Sequence, residues 1–308
     1  MRAGSRGNPL AVLLIRRLAP SFFLLALFPA GSAIAQEAPY FVTYDHHLEE
    51  PGNLEIETSS TIGIPRTGQQ LTFAPYGEFE YGVTARWTTE LYLEGQTTSG
   101  DSAVFTGWRL ENRFRPLKRE HLINPVLYLE YEGVNEASAI VKEVEGHTQI
   151  SSDRNAVLAN TPVHELEGKL ILSSNVHDWN FAGNFLAAKN FSASEGIEFG
   201  YSLGVSRPLA TIASSGECRL CRENFIAGIE MYGGLGGTLD LSLHDTAHYI
   251  APVIGWQISD NSSIRFSPAI GLTHVSNPVL LRFGYTYEVQ ALGRRVSQMF
   301  GHKTGGQP

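Results

Sequence analysis

Acidic and basic side chains recur at every second position along much of this chain, which is the spacing that places them on one face of a β-strand. The residues predicted to share that face are Glu78, Glu80, Glu94, Glu111, Glu130, Glu132, Glu165, Glu167, Glu198, Glu230 and Glu288, together with Arg109, Arg113, Arg115, Lys169, Arg265 and Arg282. Charges of both signs in one interior can form ion pairs that seal it. They can also line a wet pathway that prefers cations or polar solutes.

Two cysteines form the second chemical feature. Cys218 and Cys221 are separated by two residues, a spacing that allows a small disulfide, a thiol redox pair or a soft-metal site. No histidine follows Cys221, so covalent haem attachment is not supported. No strand-to-helix pattern surrounds the pair, which argues against a thioredoxin-like site. We therefore predict a structural disulfide or an inert pair.

The histidines and serines give weaker evidence for a metal site or a catalytic site. His46 and His47 are adjacent, and His244 and His248 lie in one predicted loop, but a metal site needs three or four convergent ligands. We predict exposed loop histidines and neither a metal nor a cofactor. Ser242 and His244 are residue types that can act as nucleophile and base, but no recognisable catalytic motif surrounds them. The sequence therefore predicts no catalytic residue and no enzyme.

The elements that must position the charged face are twelve segments in which apolar and polar residues alternate. They span residues 53–64, 71–81, 87–96, 103–115, 125–135, 163–174, 179–189, 196–207, 224–235, 248–259, 263–273 and 277–290. Strands of soluble proteins cluster near 5–6 residues, whereas about 9–11 residues cross a bilayer in a barrel. Aromatic residues near the segment ends are typical of the interfacial girdles of membrane barrels.

The last segment illustrates the two faces. Leu281, Phe283 and Tyr285 fall on one side, and Arg282 and Glu288 fall on the other. A charge on the lipid face near the midplane costs about 2–4 kcal/mol, so the charged side must face a lumen. We predict an antiparallel transmembrane up-and-down β-barrel of about 12 strands, in which this segment closes the barrel beside the first.

The N-terminus has the pattern of an export signal. Residues 1–35 combine four arginines, a short apolar run and a small-x-small site before Gln36. Residues 36–52 are then a periplasmic lead-in, 53–290 the barrel and 291–308 a mobile tail. After residue 35, 31 acidic residues stand against 19 basic ones, which disfavours nucleic-acid binding. The expected partners are outer-membrane lipid, the barrel assembly machinery and a small solute of unknown identity.

Connection lengths give the orientation. If the N-terminus lies in the periplasm, the long link at 136–162 faces outside, as in known outer-membrane barrels. The link at 208–223 is long for a periplasmic turn, and it raises the prospect of a missed strand boundary.

Short motifs resemble one family. The run from Glu78 to Thr84 is similar to the second-strand hairpin of bacterial outer-membrane transporters of the meta-pathway of phenol degradation. The runs that begin at Gly228, His248 and Leu281 (GIEMYGG, HYIAP and LRFGYTYE) are similar to later strands of that family. The resemblance implies an outer-membrane barrel and transport of small hydrophobic molecules, and it implies no catalytic residue.

The functional prediction is a passive channel or uptake protein of the outer membrane, with a charge-lined lumen that the 136–162 loop narrows. The alternative is a non-transporting structural or adhesive barrel whose interior is sealed by ion pairs.

Overall fold

A computed structural model describes residues 38–66, 70–138, 155–194, 196–210 and 218–294. The predicted signal peptide and most of the predicted tail lie outside these residues. The strands are β1 Leu54–Ile64, β2 Thr72–Thr84, β3 Trp87–Thr98, β4 Ala103–Phe114, β5 Asn124–Asn135, β6 Pro162–Val176, β7 Trp179–Asn190, β8 Glu198–Pro208, β9 Phe225–Gly237, β10 His248–Ser259, β11 Ser262–Gly271 and β12 Val279–Val289. A short helix, α1, spans Asn155–Leu158.

The strands close into one antiparallel barrel. Each strand pairs with its neighbour in sequence, and β12 pairs with β1 from Leu54↔Val289 to Ile64↔Val279. The predicted fold class and the closing pair are therefore confirmed. The predicted bounds differ only near strand ends, most at β2, which continues past Tyr81 to Thr84.

The two faces of the barrel wall follow the alternation in the sequence. On β5, Leu127 and Leu129 point outward and are 52% and 54% exposed, whereas Tyr128, Glu130 and Glu132 point inward and are buried. The other strands repeat this arrangement, so an apolar surface surrounds the barrel and the polar groups collect inside it. No helix in the described parts of the chain is long and apolar enough to cross a membrane.

The links alternate between the two ends of the barrel. The link after β8 contains a 3₁₀ helix, Arg222–Asn224, and no further strand among its described residues. The concern about a missed boundary at 208–223 is therefore not supported. The link after β5 carries α1 close to β3 and β4, at the opposite end from the first residue of β1.

The N-terminal segment is the main departure from the sequence prediction. Residues 38–53, hereafter the plug, lie inside the barrel instead of forming a lead-in outside it. The plug passes close to β2 at Gly82, where a Cβ atom would lie 2.1 Å from the carbonyl oxygen of Glu50. Glycine at this position therefore allows the close approach of the two backbones. Three buried apolar clusters of the interior all include plug residues, so the hydrophobic core lies in the lumen.

Candidate permeation pathway

The lumen retains a cavity of about 170 Å³ between the plug and the charged part of the wall. The ionisable strand residues that border it are Glu55, Glu57, Glu78, Glu80, Glu130, Glu132, Glu167, Arg109, Arg113, Lys169, Arg265 and Arg282. The plug adds Asp45 and Glu49, so carboxylates outnumber the Arg and Lys side chains by nine to five. A cavity with this balance favours cations over anions.

Arginines of β4 organise the charged wall. Arg109 contacts Glu94 at 2.5 Å and Glu130 at 2.8 Å. These pairs bridge β3, β4 and β5, because period-two spacing turns all three side chains inward. The guanidinium therefore holds two buried carboxylates that would otherwise repel each other across the lumen.

Arg113 is more heavily engaged. Its Nη2 contacts Glu80 at 2.7 Å and also contacts Glu90, and its Nε lies 3.2 Å from Glu111. One cation thus neutralises parts of three carboxylates on β2, β3 and β4. Because buried charges need close partners, this side chain supports the wall electrostatically.

Some of the remaining predicted lining residues have partners inside the lumen, and others lie near the ends of the barrel. Lys169 lies 2.6 Å from Glu167, Arg265 pairs with Glu57, and the Arg282 guanidinium stacks over Tyr232. Glu165 is buried on β6, while Glu198 and Glu288 stand near opposite ends of the barrel. The correction concerns Arg115, which lies beyond the end of β4 and donates to the carbonyl oxygen of Ala85 at 2.9 Å. It belongs to the rim because the strand ends one residue earlier.

The wall opposite the charged strands is built from small and apolar residues. A Cβ at Gly204 would lie 2.7 Å from the Tyr40 ring, and one at Gly255 would lie 3.2 Å from Pro39. Tyr40 packs on Ala182 and Val253. These small residues make room for the plug.

Glu230 holds the tip of the plug. Its carboxylate accepts three consecutive backbone amides, from Phe41 at 2.9 Å, Val42 at 2.9 Å and Thr43 at 2.8 Å. The carboxylate is completely buried. Hydrogen bonds to a charged acceptor are stronger than neutral ones, so this contact fixes the plug backbone in the lumen. The sequence analysis placed Glu230 in the lining but missed its partner.

Further contacts hold the plug in the lumen. Asn184 binds the backbone of Tyr44 at two points, accepting from its amide at 2.7 Å and donating to its carbonyl oxygen at 2.8 Å. Arg265 donates to the carbonyl oxygen of Tyr40 at 2.6 Å. The Tyr44 hydroxyl lies 3.1 Å from Glu111, so the plug also joins the charged wall.

The plug carries its own ionisable cluster. Asp45 accepts from the backbone amide of His47 and contacts the His47 ring at 2.8 Å. Burial alone would raise the pKa of the Asp45 carboxyl, but the hydrogen bonds and charge of His47 outweigh it and bring the pKa below its ordinary value. Asp45 also accepts a hydrogen bond from Asn180 of β7 at 2.9 Å. An ionised Asp45 thus ties the plug to the wall at neutral pH.

The histidine prediction was partly wrong. His46 is 1% exposed and its Nδ1 lies 2.6 Å from the Ser173 hydroxyl. His248 is also buried, with Nδ1 3.0 Å from the Tyr201 hydroxyl. Both were expected in exposed loops. His46 is enclosed because it lies in the plug, whereas His248 is covered by the link before β10, where its Nε2 lies 3.0 Å from the carbonyl oxygen of Leu243.

The two described ends of the link after β5 contact β3. At one described end, the Ser138 hydroxyl donates to Glu94 at 3.0 Å. At the other, Asn155 accepts from Gln96 at 3.3 Å and from Thr98 at 3.1 Å. Both ends therefore contact inward-facing residues of β3, as expected if this loop folds over the lumen.

Two sequence motifs lie away from the lumen. Cys218 and Cys221 form a disulfide with a Cα–Cα distance of 5.4 Å. The Ser242 hydroxyl donates to Asp245 at 3.0 Å, while the centre of the His244 ring lies 5.0 Å from that of His274. No contact between Ser242 and His244 occurs in the described residues, so the hypothetical nucleophile and base are not assembled.

Comparison with known proteins supports the fold. An outer-membrane channel from Pseudomonas putida F1 has a TM-score of 0.54 and 11% identity, covering 80% of this chain and 98% of that one. The NanC porin has a TM-score of 0.47 and 9% identity (77% and 100% covered), and the KdgM porin has 0.43 and 8% (76% and 98% covered). No protein-family model and no curated protein sequence matches the chain. None of these three structures tests the resemblance to phenol-pathway transporters, which stays a prediction.

Proposed function

We propose that this protein is a passive channel of the outer membrane that conducts small polar solutes, cations in preference to anions. The lumen is the pathway, and the plug occupies it in the closed form. Withdrawal of residues 38–48 opens the barrel without breaking a hydrogen bond between strands, since these residues are held by side chains of the lumen.

The observation that carries this proposal is the partition of charge. The outward face is apolar, whereas buried charged groups such as Glu94, Arg109 and Glu130 are confined to the lumen. Such an arrangement suits a lipid exterior and a wet interior. The nine-to-five excess of carboxylates around the cavity supports the preference for cations.

Ion flux into liposomes tests the proposal. Refolded protein that lacks residues 38–48 is expected to admit rubidium ions faster than empty vesicles do, and to admit chloride more slowly than rubidium, whereas the plugged wild type should admit less of both. Heat-modifiable migration on a gel, the usual mark of a folded barrel, confirms that each protein has folded. Rubidium entry at the rate of empty vesicles, for the wild type and for the variant alike, would contradict a conducting lumen.

One observation favours a second candidate, a non-transporting barrel with a sealed interior. The plug and the described ends of the 136–161 link engage both halves of the lumen, through Glu230 and Glu94 among others. A sealed barrel predicts that flux stays at the background level even after the plug is removed. Deletions in the outer loops would then alter surface binding and leave permeability unchanged.

Leu129→Arg tests the membrane placement. Leu129 lies in the middle of β5, points outward and is 54% exposed. An arginine there would face the bilayer midplane, so we expect a loss of about 2–4 kcal/mol in the free energy of folding into vesicles. Urea titration of vesicle-bound protein, followed by tryptophan fluorescence, measures it.

The matched control is Leu122→Arg. Leu122 is 73% exposed and lies in the link before β5, outside the strands. The same substitution there should cost no more than about 1 kcal/mol, as at a membrane interface. Equal effects at both positions would contradict a bilayer around the strands.

A further inference from the structure

We propose that Glu78, Glu80 and Glu90 form a binding site for a hard divalent cation, of which Ca²⁺ is the best fit. The site lies on the lumen side of β2 and β3. Cation binding at this site does not require solute flow through the barrel, so this proposal can be tested independently of the channel proposal.

The register of two neighbouring strands creates the site. Glu80 and Glu90 are directly opposite each other in the β2–β3 pair, and Glu78 lies two residues before Glu80 on the same face. One carboxylate oxygen of each residue lies within 4.8 Å of those of the other two. All three residues are at least nine-tenths buried. Like charges directly opposite one another destabilise a strand pair, so this arrangement calls for a counter-charge.

The protein supplies only part of that charge. Arg113 contacts Glu80 and Glu90, and it also contacts Glu111. Arg265, which also lies in this part of the lumen, pairs with Glu57. One guanidinium is thus divided among three carboxylates, which leaves the cluster with an excess of negative charge.

Glu78 is the independent indication of a ligand. It is 9% exposed and borders the cavity, yet it forms no hydrogen bond and no ion pair with any residue that the structure describes. A buried carboxylate without a partner is costly. Its position beside two further carboxylates makes a bound cation the natural partner.

The donor set defines the class of cation. Three carboxylates without a histidine or cysteine suit a hard ion such as Ca²⁺ or Mg²⁺ and disfavour zinc. Ca²⁺ tolerates irregular geometry and completes its shell with water from the cavity, whereas Mg²⁺ demands a near-ideal octahedron. Arg113 beside the site weakens binding, so we expect a Kd of about 10⁻⁴–10⁻³ M, the range of extracellular calcium modules.

Terbium luminescence tests the site, because Tb³⁺ replaces Ca²⁺ and is excited through nearby tyrosines. Tyr92 donates to Glu90 at 2.7 Å, and its ring lies 5.9 Å from that of Tyr76. Refolded full-length barrel is expected to show saturable Tb³⁺ emission under tyrosine excitation, and Ca²⁺ should displace the ion. Glu78→Gln should weaken Tb³⁺ and Ca²⁺ binding by about tenfold or more.

Glu132→Gln is the matched control. Glu132 is a buried carboxylate of the same lumen that lies on β5, outside the cluster. It should leave Tb³⁺ binding unchanged, and heat-modifiable migration confirms that both variants fold. Emission that Ca²⁺ fails to displace, or equal affinities of Glu78→Gln and wild type, would overturn the proposal. Absence of Tb³⁺ binding near neutral pH would also overturn the proposal, and it would indicate that bound protons, not a metal ion, neutralise the three carboxylates. None of these three results affects the expected rubidium flux.

Discussion

Deleting residues 38–48 is expected to raise the single-channel conductance of the refolded barrel by about tenfold or more, because the narrowest constriction sets the current. The deletion removes Tyr40, Val42 and Tyr44, which fill the lumen, and retains Asn53, which bonds to Glu288 at the barrel end. No strand is shortened, since β1 begins at Leu54. Planar-bilayer recording of wild type and variant measures the change.

A point substitution gives an independent test of the same gate. Glu230→Ala removes the acceptor of three plug amides and leaves the wall intact. We expect its conductance, or the fraction of time spent open, to lie between those of wild type and the deletion variant. Identical currents from all three proteins would contradict the assignment of residues 38–53 as the closing element.

Arg113→Ala is expected to lower the free energy of unfolding by about 3–5 kcal/mol, the cost of leaving buried carboxylates without their cation. Arg113 is 7% exposed and contacts Glu80, Glu90 and Glu111. Its Nε donates to Glu90 at 2.6 Å. Urea unfolding of the vesicle-bound barrel measures the loss.

Arg115→Ala is the control for this experiment. The two arginines are two residues apart, but Arg115 lies at the rim and donates to a backbone carbonyl. Its removal should cost about 1 kcal/mol or less, the worth of one ordinary hydrogen bond. A similar loss for both variants would show that the buried ion-pair network contributes no special stability.

The wall of the barrel was predictable because one physical rule governs it. Each strand alternates between lipid-facing and lumen-facing residues, so the sequence alone predicts that Leu129 faces the lipid and Glu130 faces the lumen. The ends of the strands follow from turn residues, and β10 begins and ends where the alternation does. The pairing of β12 with β1 follows from closure, which leaves no strand edge unpaired.

The plug was not predictable in the same way. Residues 38–52 have no period, and their order depends on side chains far away in sequence, such as Asn184 and Glu230. A signal was present in the partner strands. Gly204 and Gly255 face the lumen where a sealed lumen would need bulk, and Gly204 lies directly opposite Glu230 in the β8–β9 pair. Inward glycines beside a buried carboxylate indicate that another backbone fills the space.

The reversal potential of the barrel that lacks residues 38–48 shows whether the lumen conducts cations. Under a KCl gradient we expect discrete current steps and a reversal potential of the sign set by potassium, because carboxylates outnumber cationic side chains around the lumen cavity. The strand residues alone contribute seven carboxylates against five cations, so the preference should persist without the plug. A folded barrel with no current steps, or one that reverses toward the chloride potential, would contradict the account.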